Sequence, residues 1–272
     1  MESRVGEFLD DVAAWGREQA DLHGVVLLGS QARADVPADE LSDVDVVLFV
    51  DEPERYLRDH TWLAPFGEPL LSHIEATAVG GFEERRVLFR DGLEVDFAIV
   101  PAAALADLPP AAAEVFARGF RVLYNDGIEV EPPETPLRGP LPPTQAQLDE
   151  LANEFWYHLL WGAKKLRRGE VLLAKQVCDC TLKRRIVELA RWRAQETDTW
   201  HDLRFFEHWA GKDVVEALGP TFASYDAAEV ARALRATGEL FGRLEAEVAS
   251  RFGLTSPVDR AEILHRLDVT LP

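Results

Sequence analysis

Cysteine is almost absent from this chain, since only Cys178 and Cys180 occur among its 272 residues. They stand two positions apart in a stretch whose pattern predicts a helix, so their side chains point in different directions and favour neither a disulfide nor a shared metal. We interpret both as small reduced residues of a core. The seven histidines show no zinc-site spacing, which argues against dedicated zinc chemistry.

Long apolar runs are missing as well. No segment approaches the ~18 consecutive apolar residues that a membrane-spanning helix needs. Residues 1–11, MESRVGEFLDD, are acidic, whereas a signal peptide is basic and then apolar. We therefore expect a soluble, cytoplasmic protein with no membrane partner. Its length and its 47% hydrophobic content allow two domains with cores of their own.

Basic residues are outnumbered: 29 Lys and Arg stand against 48 Asp and Glu, for a formal net charge of −19. Such a field repels a polyanion, so we expect no nucleic-acid partner. The same field attracts cations and raises their rate of encounter. Net charge alone does not define a cationic substrate, because many acidic proteins are simply well solvated.

The first half of the chain alternates short apolar runs with turns. Residues 2–22 show the spacing of an amphipathic helix. Asp91-Gly92, between the last two apolar runs, is a hairpin signal. We predict an α+β domain with a mixed β-sheet and flanking helices, whose strands occupy 24–30, 44–50, 70–76, 84–90 and 93–100.

The second half changes to a helical period. Residues 124–143 are rich in proline, glycine and acid and are predicted as a linker, which gives domains at 1–135 and 136–272. Thr144 and Gln147 match a capping box at the start of a helix. The pattern predicts a helical bundle with helices over 148–166, 170–195, 202–218, 226–252 and 257–266.

Three aspartates carry the chemistry that the sequence suggests. Asp43 and Asp45 stand at i and i+2 where a strand begins, so both project from one face, about 7 Å apart along the strand. Asp96 lies in another predicted strand, LEVDFAIV. Carboxylates held close together repel unless a cation separates them. Mg²⁺, which takes oxygen ligands, suits such a site, and two ions would serve phosphoryl or nucleotidyl transfer.

Gly29-Ser30 ends a buried strand, at a turn expected to begin a helix. A glycine there lets the backbone approach a phosphate, and the hydroxyl and exposed N–H groups can bind it. Each element has a plain structural alternative when taken singly: Asp43 and Asp45 as a solvated loop edge, Gly29-Ser30 as an ordinary turn, and Asp96 as a carboxylate satisfied by a cap or a salt bridge.

The order of these elements resembles the polymerase-β-like nucleotidyltransferase superfamily. The stretch from Gly29 to Val50, GSQARADVPADELSDVDVVLFV, is more closely similar to the aminoglycoside 6-adenylyltransferases, the streptomycin-modifying family. That resemblance implies transfer of AMP from ATP to a hydroxyl of an aminoglycoside, most simply position 6 of streptomycin, with release of pyrophosphate and antibiotic resistance as the consequence. Further similar stretches are WLAPFGE (62–68), VLFRDGLEVDFAIVP (87–101), EFWYHLLWGAKKLRRGEVLLAK (154–175) and AGK (210–212).

The resemblance also implies roles for individual residues. It assigns Asp43, Asp45 and Asp96 to a site for two Mg²⁺ ions, and Asp96 is a ligand, the general base or both. It assigns the ATP phosphates to Gly29, Ser30, Ser42 and, from the helical domain, Lys212. One departure is Gln31, which stands where many relatives carry arginine after the Gly-Ser pair.

Four further acids are candidates for contact with the cationic acceptor. Glu154, Glu170 and Asp179 are expected to meet amino or guanidino groups, because guanidinium pairs with carboxylate in a bidentate way. Glu170 is alternatively a first-turn acid that favours a helix dipole, and Asp179 a partner of a lysine four residues away, Lys175 or Lys183. Glu94, on the face of Asp96, is a second base, a substrate contact or a solvated acid.

Two rival functions remain open from the sequence. The same chemistry could serve another acceptor, such as a lincosamide, another small molecule, a protein or tRNA, although the negative charge argues against tRNA. A catalytically inactive nucleotide-binding relative is the other alternative. Such a relative would be expected to lose Ser30 or one of the three aspartates, and all are present. We expect a monomer.

Overall fold

A computed structural model describes residues 4–33, 38–39, 41–78, 81–107, 109–128, 130, 139–195, 199 and 203–272. The chain divides into two compact units, Met1–Leu137 and Arg138–Pro272. In the described part of the chain, no helix is both long and apolar enough to cross a membrane.

The first unit is built on a six-stranded sheet in the order β3-β4-β5-β2-β1-β6. Strands β2 and β5 are parallel, and the other described pairs are antiparallel. The sheet is therefore mixed, as predicted. Its strands are β1 (Leu22–Leu28), β2 (Val44–Val50), β3 (Pro69–Ala76), β4 (Glu83–Phe89), β5 (Glu94–Pro101) and β6 (Arg121–Asn125).

The two faces of this sheet have different cores, because alternate residues of a strand point to opposite sides. One face carries an aromatic cluster that includes Phe8, Trp62 and Phe97. The opposite face carries a smaller cluster that includes Phe49 and Phe116. The helices of the unit are α1 (Arg4–Gly16), α2 (Pro53–Arg58) and α3 (Pro110–Ala117), with 3₁₀ turns at Gly29–Gln31, Thr61–Phe66 and Ala102–Asp107.

The structure differs from the sequence-based expectation for this unit at two places. The turn after β1 begins a helix, as predicted, but only the short 3₁₀ turn Gly29–Gln31, and Gly29 has φ +65°, outside the right-handed helical region. The sequence pattern does not predict strand β6, and the last two residues of this strand, 124–125, fall in the predicted linker. It has five partly exposed residues, too few to show an alternating pattern.

The second unit is a helical bundle, as predicted. Thr144 and Gln147 form the predicted capping box at the start of α4. The stacked rings of Phe155 and Phe241, 3.6 Å apart, join α4 to α9 in the core. The helices are α4 (Gln145–Arg167), α5 (Val171–Gln176), α6 (Lys183–Ala194), α7 (Phe206–Trp209), α8 (Lys212–Leu218), α9 (Ala227–Phe252) and α10 (Arg260–Thr270).

The helix predicted over 170–195 contains an irregularity. Between α5 and α6, the segment Val177–Leu182 is a π-helix, a wider turn that shifts which residues face the core. Cys178 is buried there, whereas Cys180 is exposed. The interpretation of both as core residues is therefore correct for Cys178 and wrong for Cys180. Similarly, the helix predicted over 202–218 is divided, in its described part, into the short helices α7 and α8.

Candidate functional site

Three carboxylates meet on one face of the first unit's sheet. Asp45 pairs with Asp96 across the parallel strands β2 and β5, and Asp43 lies one residue before β2. One oxygen from each of the three carboxylates can be chosen so that all lie within 4.8 Å of one another. The sheet thus brings together the three aspartates that the sequence predicted as site residues. We call Asp43, Asp45 and Asp96 the carboxylate trio.

Gly29 makes room for this trio. A Cβ atom at residue 29 would lie 1.8 Å from Asp45 Oδ2, a distance that no real contact allows. The residue also has φ +65°, a conformation that favours glycine. The structure therefore gives Gly29 a steric role beside Asp45, in addition to the phosphate contact that the resemblance implies.

Arg86 reaches the trio from strand β4, and no sequence motif indicates this residue. It pairs with Asp96 in register across β4 and β5. Its Nε donates to Asp96 Oδ1 at 2.8 Å, and its Nη2 lies 2.7 Å from Asp96 Oδ2 and 3.9 Å from Asp43 Oδ2. Its Nη1 donates to Glu75 Oε1 at 3.1 Å. The guanidinium therefore spans two members of the trio and one further acid.

The pKa values of Arg86 and Asp96 reflect the competition between burial and ion pairing. Burial disfavours the charged form of Arg86, but its hydrogen bonds and charge pairing with Asp96 and Glu75 outweigh that effect, and its pKa is raised. Burial raises the pKa of Asp96, and the contacts with Arg86 only partly oppose the rise. Asp96 is 9% exposed, so a cation that approaches it meets a carboxylate largely removed from water.

Glu84 is a second acid that the sequence did not point to. It lies two residues before Arg86 and so on the same face of β4, opposite Glu75 on β3 and Ala98 on β5. Burial raises its pKa to about 7, and the negative charges of Asp96, Glu75 and Asp45 add to the rise while Arg86 opposes it. Its ionisation therefore falls near neutral pH. Only the pairing of β3, β4 and β5 shows that it belongs to this face.

The two serines predicted to bind phosphate have different surroundings. Ser30 Oγ is buried and, within the part of the chain that the structure describes, has no hydrogen-bond partner. An orphaned hydroxyl next to Gly29 suits an oxygen-rich ligand. Ser42 Oγ instead donates to Asp39 Oδ1 at 2.9 Å and accepts from the Asp39 N–H at 3.0 Å, so it closes a local turn.

Glu94 and Lys212 are both exposed. Glu94 opens strand β5 opposite Leu88, on the face of Asp96 as predicted from their spacing. Lys212 is the first residue of α8, and its side chain is 88% exposed, with Glu216 as an ion-pair partner at 3.6 Å. The long, exposed lysine side chain is accessible to an anion.

The three acids of the helical unit each have a cationic partner within that unit. Glu154 pairs with Arg185. Glu170 is the N-cap residue of α5 rather than a first-turn acid, and it pairs with Lys165 at 3.1 Å. Asp179 pairs with its i−4 neighbour, Lys175, so the structural alternative proposed for Asp179 is confirmed. Any cationic substrate would have to share or replace these partners.

The trio fits the donor set of a hard divalent cation. All its potential ligand atoms are carboxylate oxygens, the type that Mg²⁺ prefers. The guanidinium of Arg86 shows that this surface accommodates a positive charge, because it lies 2.7 Å from one trio carboxylate. Together with the orphaned hydroxyl of Ser30, the arrangement suits a metal and an anionic phosphate chain.

Comparison with known proteins defines the class as a nucleotidyltransferase. The family model described as Streptomycin adenylyltransferase matches residues 2–266, and the chain belongs to this family. An aminoglycoside 6-adenylyltransferase of Campylobacter jejuni is 24% identical over 268 residues, which cover 93% of this chain and 90% of the relative.

Other similar proteins have related names. An aminoglycoside 6-adenylyltransferase of Bacillus subtilis (strain 168) is 24% identical over 180 residues, 62% of this chain and 61% of that protein. Among solved structures, an aminoglycoside 6-adenyltransferase from Bacillus subtilis aligns over 99% of both chains, with 17% identity and a TM-score of 0.45. The family resemblance seen in the sequence is thus confirmed by the family match over residues 2–266.

Proposed function

We propose that this protein transfers AMP from ATP to a hydroxyl of an aminoglycoside, with position 6 of streptomycin as the expected acceptor and pyrophosphate as the second product. Membership of the family and the names of the relatives support the reaction. The single observation that carries it is the convergence of Asp43, Asp45 and Asp96 on one sheet face, beside the turn of Gly29 and Ser30.

In this proposal the carboxylate trio holds Mg²⁺, with two ions as in related transfer reactions. Bound there, the metal would neutralise charge on the transferred phosphoryl group and on the departing pyrophosphate. The protein itself holds the ligands rigidly: Asp45 and Asp96 are fixed by the pairing of β2 with β5, and Gly29 leaves the space that Asp45 fills.

In this proposal the ATP phosphates bind the turn of Gly29 and Ser30 after β1, together with Ser42 and Lys212. The buried hydroxyl of Ser30 supplies a donor, and the backbone at Gly29 allows close approach. Ser42 can take part only if it exchanges its bond with Asp39. Lys212, whose side chain is 88% exposed and forms an ion pair with Glu216, supplies a flexible positive charge.

The acceptor hydroxyl must lose a proton as it attacks the α-phosphate. Asp96 is the base in our proposal, since it is a buried carboxylate at the centre of the site. Glu94 is exposed on the same face, and we assign it to contact with the acceptor. Positioning of the hydroxyl, rather than covalent catalysis, is the main task of the protein.

The acceptor is a polycation, in keeping with the formal charge of −19. Glu154, Glu170 and Asp179 would bind its amino or guanidino groups in place of their own cationic partners. Adenylylation adds bulk and negative charge to a drug that binds RNA as a polycation, so the product would bind its target poorly. Resistance follows from that loss.

The reaction is tested with purified protein, ATP and Mg²⁺ against streptomycin, spectinomycin, kanamycin and lincomycin. We expect pyrophosphate release and the mass of one added AMP on streptomycin, abolished in Asp45→Asn. Asp10→Asn, which removes an exposed charge on α1, is the matched control and should retain activity. An added AMP only on lincomycin would transfer the proposal to another acceptor, and no product with any drug would refute the aminoglycoside assignment.

A further inference from the structure

The carboxylate trio carries its own counter-cation. Carboxylates with oxygens within 4.8 Å of one another repel strongly unless a positive charge offsets them. Arg86 supplies that charge, because its Nη2 lies 2.7 Å from Asp96 and 3.9 Å from Asp43. The pair with Asp96 is bidentate, the stronger geometry for a guanidinium and a carboxylate.

The same contacts oppose a metal at this site. Asp96 Oδ1 accepts a hydrogen bond from Arg86, and Asp96 Oδ2 lies within ion-pair distance of the same guanidinium. A divalent cation that bound Asp96 would therefore stand a few ångströms from the guanidinium, and like charges at that distance are costly in a partly buried site. Metal binding at Asp96 therefore weakens the ion pair of Arg86 with Asp96, and the ion pair weakens metal binding.

Glu75 is a second partner for the guanidinium of Arg86, outside the trio. Arg86 Nη1 already donates to Glu75 Oε1 at 3.1 Å, and Glu75 lies on β3, beyond β4 from the trio. Glu84 lies opposite Glu75 on the same face, so two acids outside the trio flank Arg86. Arg86 therefore has an acidic partner that does not depend on Asp96.

We propose that Arg86 is a positioning residue that competes with the metal: it holds the trio together when no metal is bound, releases Asp96 when the metal binds, and is then retained by Glu75. The inference rests on the proposed function only in that the trio is a metal site. Arg86 thus lowers the affinity of the site for metal and, in exchange, stabilises the fold without it.

The test measures binding of Mn²⁺ to the full chain without nucleotide, by the electron paramagnetic resonance signal of free Mn²⁺, together with the melting temperature in EDTA. Arg86→Gln should bind Mn²⁺ about tenfold more tightly and melt at a lower temperature in EDTA than the wild type. Arg90→Gln, which removes an exposed charge from the ion pair with Glu68, should change neither. Asp45→Asn should abolish binding, which places the ion at the trio.

Glu75→Gln tests the second half of the proposal. With Glu75 neutral, Arg86 depends more on Asp96, so Mn²⁺ should bind several-fold more weakly, while Glu83→Gln, an exposed acid on β4, leaves the affinity unchanged. If Arg86→Gln does not fold, Arg86→Met replaces it, since it also removes the charge beside Asp96 and is expected to tighten Mn²⁺ binding in the same way. Equal or weaker Mn²⁺ binding in the Arg86 variant overturns the proposal, as does an absence of binding in every variant. Tight Mn²⁺ binding without adenylyl transfer would refute the proposed function alone.

Discussion

At the scale of single residues, the site is a set of charges whose ionisation depends on neighbours. Glu84 illustrates this, because burial and the surrounding acids raise its pKa to about 7. In the unfolded chain the same group has its ordinary value of 4.5. The folded protein therefore binds this proton more tightly than the unfolded chain, and stability linked to Glu84 is present at low pH and is lost as the pH rises towards 7.

This predicts a pH effect that a neutral side chain removes. In EDTA, the melting temperature of the wild type should fall between pH 5 and pH 8 by more than that of Glu84→Gln, since glutamine cannot ionise. Glu83→Gln, an exposed neighbour on the same strand, should show the wild-type fall. Identical falls for the wild type and Glu84→Gln would show that Glu84 does not titrate differently in the folded state.

The roles of single residues could be predicted only where they matched a family motif. Asp43, Asp45, Asp96 and the Gly29-Ser30 pair were found from the sequence and its resemblance, and the structure brings the three acids together. Arg86 could not be found in this way. It lies in ERRVLFR, where nothing in the sequence indicates which strand pairs with β4, or that residue 86 lies opposite Asp96.

At the scale of elements, local signals determined what could be predicted. The capping box at Thr144 and the regular apolar spacing gave α4 and α9 because these signals are local. The sequence pattern indicates neither strand β6 nor the π-helical segment Val177–Leu182. The strand depends on pairing with β1, which is distant in sequence, and the π-helix changes the helical period by a single residue.

The 3₁₀ turn Gly29–Gln31, which follows β1, allows a prediction at the scale of elements. Gly29→Ala should lower kcat/KM for adenylyl transfer by about 100-fold, since even a 1 Å displacement of a catalytic group can be that costly, and a Cβ here meets Asp45 at 1.8 Å. It should also lower the free energy of unfolding by about 1–2 kcal/mol, the strain of a left-handed alanine. Steady-state kinetics and urea unfolding measure the two effects.

Gly92→Ala is the matched control for this turn. Gly92 has φ +91°, but a Cβ there would meet nothing within 4 Å. The variant should therefore lose stability by a similar amount and keep its activity. Equal activity losses in the two variants would mean that backbone strain, and not the collision with Asp45, causes the defect.

At the scale of the whole molecule, the charge of −19 should act on substrate encounter. For a polycationic acceptor, kcat/KM should fall several-fold as KCl rises from about 50 to 500 mM, because salt screens the attraction. The kcat/KM for MgATP, which is an anion, should not fall in parallel with that for the acceptor. The two titrations at constant free Mg²⁺ measure this, and an acceptor kcat/KM independent of salt would contradict electrostatic attraction.

The parallel pairing of β2 and β5 also bears on how the protein folds. Asp45 and Asp96 are adjacent across these strands, yet about fifty residues separate them along the chain, so their contact requires closure of a long loop. Contacts of this kind form slowly compared with helices and hairpins. The hairpin of β3 and β4 and the pairing of β4 with β5 are more local, and the trio is complete only once β5 has joined β2. The metal affinity proposed for the trio would therefore appear late in folding, and during refolding it would distinguish the native sheet from chains that have only their local structure.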